Sequence, residues 1–357
     1  MKTSFAFRQR LFLTCLSLLF LIQGVAGQSR WRFIHRLQSG MVYDSNVEES
    51  LYHPRAAPAL RLMLDTKGLY TSGGRHWNLS YAYNVGGQLY QQPLHENKMI
   101  HEASVRTFYH SVFFRIGIKG GLRFKRFFEK RHDYLSGSAT PYVVLDLGRG
   151  FNLEVCSRLK TLDYRFNDIY DHRKHENMLR LQKRVKQNWS LALRLMHNPV
   201  LMRRHAYEYH ISRDEWRQKA NRQKDLESIV GIEADWYAGG GLFSALYRFE
   251  TYRSNSDGVA YRRQGMTLLA ARSISDFLLR VIVAFQRKRY LDKVFPYLPL
   301  DLDREHEENN YFIIDISRDL SRTLSAVLRT AWYSNESPYA SLYYEKFEIH
   351  TSLEYRF

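Results

Sequence analysis

The chain has 357 residues, with 53 Lys and Arg against 36 Asp and Glu and a formal net charge of +17. No internal stretch approaches 18 consecutive apolar residues, which excludes helical spans, and a mean hydropathy of −0.45 suits either a soluble chain or a barrel with a polar interior. Only Cys15 and Cys156 are present, so no disulfide framework exists.

In chain order, residues 1–27 come first. Lys2, Arg8 and Arg10 precede a largely apolar run from Leu11 to Ile22, and Val25-Ala26-Gly27 offers small residues for cleavage. A spanning helix needs about 20 apolar residues, so 1–27 is predicted to be a secretory signal peptide. Export argues against nucleic acid as the partner of a basic chain. It points instead to phosphate-bearing lipid headgroups or an anionic solute.

The remainder, 28–357, reads as one domain of alternating runs. The period of two predicts strands at Trp31–Tyr43, Ala59–Tyr70, Trp77–Tyr90, Met99–Tyr109, Val112–Phe127 and Ala139–Leu147. Six more follow at Phe151–Asp163, Asn177–Val185, Trp189–His197, Leu226–Tyr237, Leu242–Tyr252 and Tyr261–Arg272. Phe277–Tyr290, Tyr311–Ser317, Thr323–Tyr333 and Tyr343–Phe357 complete the set. The last is the clearest: Tyr343, Glu345, Phe347, Ile349, Thr351, Leu353, Tyr355 and Phe357 alternate with a mostly polar row. A membrane-crossing strand needs about 9–11 residues, and short turns alternate with long loops along the chain. The expectation is an all-β transmembrane antiparallel barrel of about 16 strands, within a range of about 14–18.

Aromatic residues gather at one rim on the apolar phase: Trp31, Trp77, Phe151, Trp189, Phe243 and Phe277 where strands begin, Trp236 and Phe357 where they end. That is the girdle expected at a membrane interface. The combination of leader, alternating strands and terminal Glu354-Tyr355-Arg356-Phe357 resembles Gram-negative outer-membrane β-barrel proteins. The resemblance implies an outer-membrane location and a terminal Phe357 read by the barrel-insertion machinery. Val42-Tyr43-Asp44-Ser45-Asn46-Val47 is similar to the first-strand motif of surface-lipoprotein assembly modifiers and exopolysaccharide export proteins, although their periplasmic helical-repeat domain has no counterpart in this sequence.

With the apolar phase outside, the other phase lines the lumen. Basic candidates are Arg115, Lys119, Arg123, Lys125, Arg158, Lys160, Arg180, Arg184 and Arg194, and acidic ones Glu227, Glu233, Asp235 and Glu250. Two readings stand: a wet passage whose basic wall draws anions, or opposed arcs that pair and rigidify an occluded barrel. The long segment Asn198–Asp225, rich in aromatics and cations, is expected to be an external loop, folded inward, capping lipopolysaccharide, or simply solvated.

Catalytic and metal signals are weak. His172/His175 and His205/His210 lack a ligand spacing. The acidic run Asp301, Asp303, Glu305, Glu307 and Glu308 reads as an external loop or a calcium site. Ser39 and His35 share the outward face but sit about 13 Å apart along a strand, and Ser157 points outward with no His beside it in sequence. No cofactor, metal or enzymatic role is expected. The function expected is a porin-like channel or export conduit for anionic solutes or acidic polysaccharide, in contact with outer-membrane lipid and lipopolysaccharide. A non-conducting assembly component and a lipid-modifying enzyme in the barrel wall are the alternatives.

Overall fold

The structure, a computed structural model, describes residues 31–71, 76–128, 133–166, 168–292, 310–335 and 344–357; the leader expected at 1–27 lies outside them. Sixteen strands follow one another: β1 (Trp31–Asp44), β2 (Ala57–Thr71), β3 (Trp77–Tyr90), β4 (Lys98–His110), β5 (Phe114–Phe127), β6 (Tyr134–Gly148), β7 (Phe151–Tyr164) and β8 (His172–Lys186). Then come β9 (Trp189–His210), β10 (Glu215–Ala238), β11 (Gly241–Ser254), β12 (Tyr261–Ile274), β13 (Phe277–Tyr290), β14 (Asn310–Asp319), β15 (Leu324–Asn335) and β16 (Tyr344–Arg356). Each strand pairs antiparallel with its chain neighbours, and β1 pairs with β16, so the sheet closes and no edge is left.

Closure explains how a polar chain can cross lipid: every strand satisfies its backbone groups against the next one. Side chains sort by alternation. Leu60, Leu62, Ile116, Ile118, Val155, Leu193, Leu195 and Leu353 are exposed on the outer wall. The seam brings the chain ends together, with Arg36 opposite Arg356 and the backbone of His35 exchanging two 3.1 Å hydrogen bonds with Phe357. Their rings stack at 5.4 Å. Trp189 lies 5.9 Å from Trp236, which is opposite Phe243 in the ladder, so part of the expected girdle is a continuous aromatic patch at the short-turn rim.

Turns at that rim need backbone few residues adopt: Gly148, Arg149 and Gly150 all have positive φ, as do Gly239 and Gly240. At the opposite rim a side-chain device recurs. The carbonyl oxygen of the Asn97 side chain and the carboxylates of Asp133 and Asp171 accept hydrogen bonds from the backbone N–H of Tyr90, Phe127 and Tyr164, at 2.5, 2.7 and 2.7 Å. In each case an acceptor beside the start of a descending strand caps the end of the ascending one.

The largest departure from expectation is the segment Asn198–Asp225. It is no loop: β9 and β10 run on as a paired ribbon until residues 211–214, with register shifts at Arg222. The ribbon rests on the loop after β11, where the backbone N–H groups of Tyr207 and Tyr209 donate to Ser256 and Asp257, both at 3.0 Å.

Candidate functional site

The lumen is the candidate site, and the ladder decides what lines it. On β5 the inward row is Arg115, Gly117, Lys119, Gly121, Arg123, Lys125 and Phe127, because Ile116 and Ile118 are exposed outside. Register then puts Thr140 of β6 beside Lys119, Lys160 of β7 beside Ser138, and Glu176 of β8 beside Arg158. A cavity of about 820 Å³ in the lumen is bounded by Lys119, Arg123, Arg158, Lys160, Ser138 and Thr140, among others.

The nine expected basic residues do not behave alike. Arg180 and Arg194 both grip Glu233, Arg180 through Nη2 at 2.7 Å and Nε at 2.8 Å. Arg158 reaches Glu176 at 3.4 Å. Lys125 is wholly enclosed, its Nζ 4.8 Å above the Phe127 ring, and therefore sits off the passage. Arg123, which lines the cavity, has a partner. Among the described residues, Arg115, Lys119, Lys160 and Arg184 have no carboxylate within ion-pair distance. Lys119 lies 4.7 Å over the Tyr142 ring and Arg115 5.2 Å over Phe108. Arg106 of β4 belongs with them: its Nε donates to the Tyr142 hydroxyl at 3.1 Å. It was legible from the inward phase shared with Glu102 and Ser104.

The acidic residues are all engaged. Glu227 takes Lys174 at 2.7 Å and the Asn198 amide at 2.6 Å; Glu250 takes Arg263 Nε at 3.0 Å and the Tyr261 hydroxyl at 2.7 Å. Asp235 accepts from Ser190 at 3.1 Å and Ser244 at 2.7 Å. The picture of a basic arc facing an acidic arc across the lumen is therefore corrected. Carboxylates pair with cations on the adjacent strand, as Glu233 does with Arg194, or on the next but one, as Glu233 does with Arg180 and Glu227 with Lys174, in a sheet whose strands lie about 4.8 Å apart. What remains is a strip on β4, β5 and β7 where cations outnumber their partners.

The opposite side of the mouth is filled. Val47, in the connection after β1, packs on the inward side chains Val42, Ala57, Ala59 and Tyr90. Asp44, fully buried, accepts from Asn46 N–H at 2.9 Å and from the Tyr90 hydroxyl at 3.2 Å. Lys346 of β16 ties Asp44 at 3.1 Å, Glu49 at 3.3 Å and Glu348 at 3.0 Å. The Asn46 side chain donates to Ser50 O and Glu345 O. The Val42–Val47 motif thus latches an in-folded segment across the closing seam.

Two further expectations meet the structure here. His172 and His175 fall on opposite faces of β8, as do His205 and His210 on β9, so neither pair can share a metal. The acidic run 301–308 lies outside the described residues. Ser157, expected to lack a histidine, has one: its Oγ is 2.6 Å from Nε2 of His175 across the β7–β8 ladder. Eighteen residues separate the two, and only the register brings them together.

No protein-family model and no curated protein matches the sequence. Among solved structures, OmpF of Salmonella typhi in complex with daunomycin is 9% identical with a TM-score of 0.54, over 92% of this chain and 97% of that one. OmpT of Vibrio cholerae in its trimer form gives 8% and 0.46, over 92% and 99%. A bacterial polysaccharide outer membrane secretin gives 7% and 0.45, over 90% and 98%. The first likeness establishes the porin-like barrel fold; the other two, with scores under 0.5, stand only as resemblances.

Proposed function

We propose that this barrel is an outer-membrane channel whose basic strip favours anionic solutes, small anions or the carboxylates of an acidic polysaccharide. The observation that carries the reading is the unequal pairing: Lys119, Lys160, Arg115 and Arg184 keep their charge unneutralised by carboxylates among the described residues, while Glu227, Glu233, Asp235 and Glu250 are taken up in the wall, and the cations around the cavity outnumber its two remaining carboxylates, Glu102 and Glu154. Unpaired cations of this kind require water around them, and a sixteen-stranded wall encloses room for it. Cations lining a wet constriction raise the local concentration of anions. The short-turn rim then faces the periplasm and the β9–β10 ribbon projects outside, where its cations meet lipopolysaccharide.

Vesicle swelling tests this. Vesicles carrying the protein should admit a small sugar acid faster than a neutral sugar of equal size. Lys119→Glu with Lys160→Glu should remove that preference without unfolding the barrel. Equal rates for both sugars, or a preference that survives the double reversal, would take these residues out of the role.

A further inference from the structure

The outer wall carries a polar cluster that a channel does not use. On the outward row of β7, Ser157 interrupts Phe151, Leu153, Val155 and Leu159; on that of β8, His175 and Asn177 sit above Leu179 and Leu181. Ser157 is opposite Asn177 and Leu159 opposite His175 in the ladder. The Ser157 Oγ lies 2.6 Å from His175 Nε2 and 3.1 Å from the Asn177 Oδ1, and the Asn177 Nδ2 donates to His197 O at 3.1 Å. A lipid-facing wall should be apolar here, and polar groups in such a place mark function more often than packing.

The geometry points to a serine nucleophile with a histidine base that cleaves acyl esters of membrane lipids from the outside of the barrel. A nucleophile and base within about 2.6–3.2 Å is the arrangement such chemistry needs. The setting supplies the rest. Acyl chains lie against Val155 and Leu159, both exposed, and Arg173, exposed on the same outward row two residues beyond His175, suits a lipid phosphate. Pro141 of β6 has no N–H to give, and the β6–β7 ladder skips Thr140 and Pro141 beside Ser157, so the backbone pairing is interrupted at this point.

The steps balance without a cofactor. His175 Nε2 takes the Ser157 proton as Oγ bonds to the ester carbonyl carbon. The carbonyl oxygen carries the negative charge, and the Asn177 carboxamide, turned about its last bond, donates an N–H to it. Collapse breaks the bond to the alcohol oxygen, which leaves with the proton from His175. Water, deprotonated by His175, then attacks the acyl-serine, and the fatty acid departs as Ser157 recovers its proton.

The test uses the folded protein purified from membranes, in vesicles of phosphatidylethanolamine and phosphatidylglycerol. Free fatty acid should accumulate, and a fluorophosphonate should label Ser157. Ser157→Ala should abolish both, and His175→Gln should slow release by about 100-fold or more. Ser39→Ala, at an outward serine of β1, should change neither. Each variant is first shown to keep its strand content and its conductance, so loss of activity is not loss of fold. The proposal falls if folded wild-type protein releases no fatty acid, if Ser157→Ala releases as much as wild type, or if the label reaches Ser157 without lipid turnover. None of these outcomes bears on the channel.

Discussion

Replacing Lys346 by Met tests whether the seam latch holds the barrel shut. The side chain is 7% exposed and bridges three carboxylates, those of Asp44 at 3.1 Å, Glu49 at 3.3 Å and Glu348 at 3.0 Å. Met keeps the length and removes the charge. Asp44 is fully buried and would lose its cation while keeping the Tyr90 and Asn46 hydrogen bonds. Removing one partner of a buried ion pair costs about 3–5 kcal/mol. The two surviving hydrogen bonds place the loss near the lower end, about 3 kcal/mol, or roughly 150-fold in the unfolding equilibrium. Urea titration in detergent micelles, followed by tryptophan fluorescence, should show an earlier midpoint with an unchanged slope. Adding Asp44→Asn should return part of the loss, because the orphaned charge is removed too. A loss under about 1 kcal/mol in the single variant would refute a buried latch, since that is the range of exposed pairs.

Glu233→Gln leaves Arg180 and Arg194 without their shared carboxylate and should strengthen anion preference: one uncompensated charge about 5 Å from a passing ion in water is worth about 0.8 kcal/mol, roughly four-fold in local anion concentration. Reversal potentials before and after the substitution check this. At the long-loop rim, burial lifts the carboxyls of Asp133 and Asp171 above the usual carboxylate range. The folded chain then holds those protons more tightly than the unfolded chain. Stability at these positions should therefore rise as pH falls through the folded value and level off below the unfolded one, near about 4. Asp133→Asn with Asp171→Asn keeps an oxygen for the Phe127 and Tyr164 N–H groups and should flatten that slope, as read by urea midpoints across pH.

The wall was legible because each crossing strand meets two different media, and Ile116/Ile118 against Arg115/Lys119 shows the period directly. Where both faces are wet the period vanishes. That is why 198–225 reads as a loop although it folds as a ribbon, with Arg203-Arg204 adjacent and a register shift at Arg222. Inward placement of the charged residues could be read from the phase; their partners could not. Glu233 meets Arg180 and Arg194 only because β8, β9 and β10 are aligned as they are, and a strand-by-strand reading sees three separate charges. Ser157 and His175 escaped for the same reason. Both carry the outward phase of neighbouring strands, and counting back through the connection between β7 and β8 would have been the one sequence-level route to the pair.

The most direct check on a water-filled, anion-favouring passage is the zero-current potential of the wild-type protein in a planar bilayer under a gradient of potassium chloride at low ionic strength, where screening is weakest. The account predicts steady conductance and a potential of the sign that marks chloride as the more permeant ion. A folded, inserted barrel that carries no current, or one that prefers potassium, would contradict it.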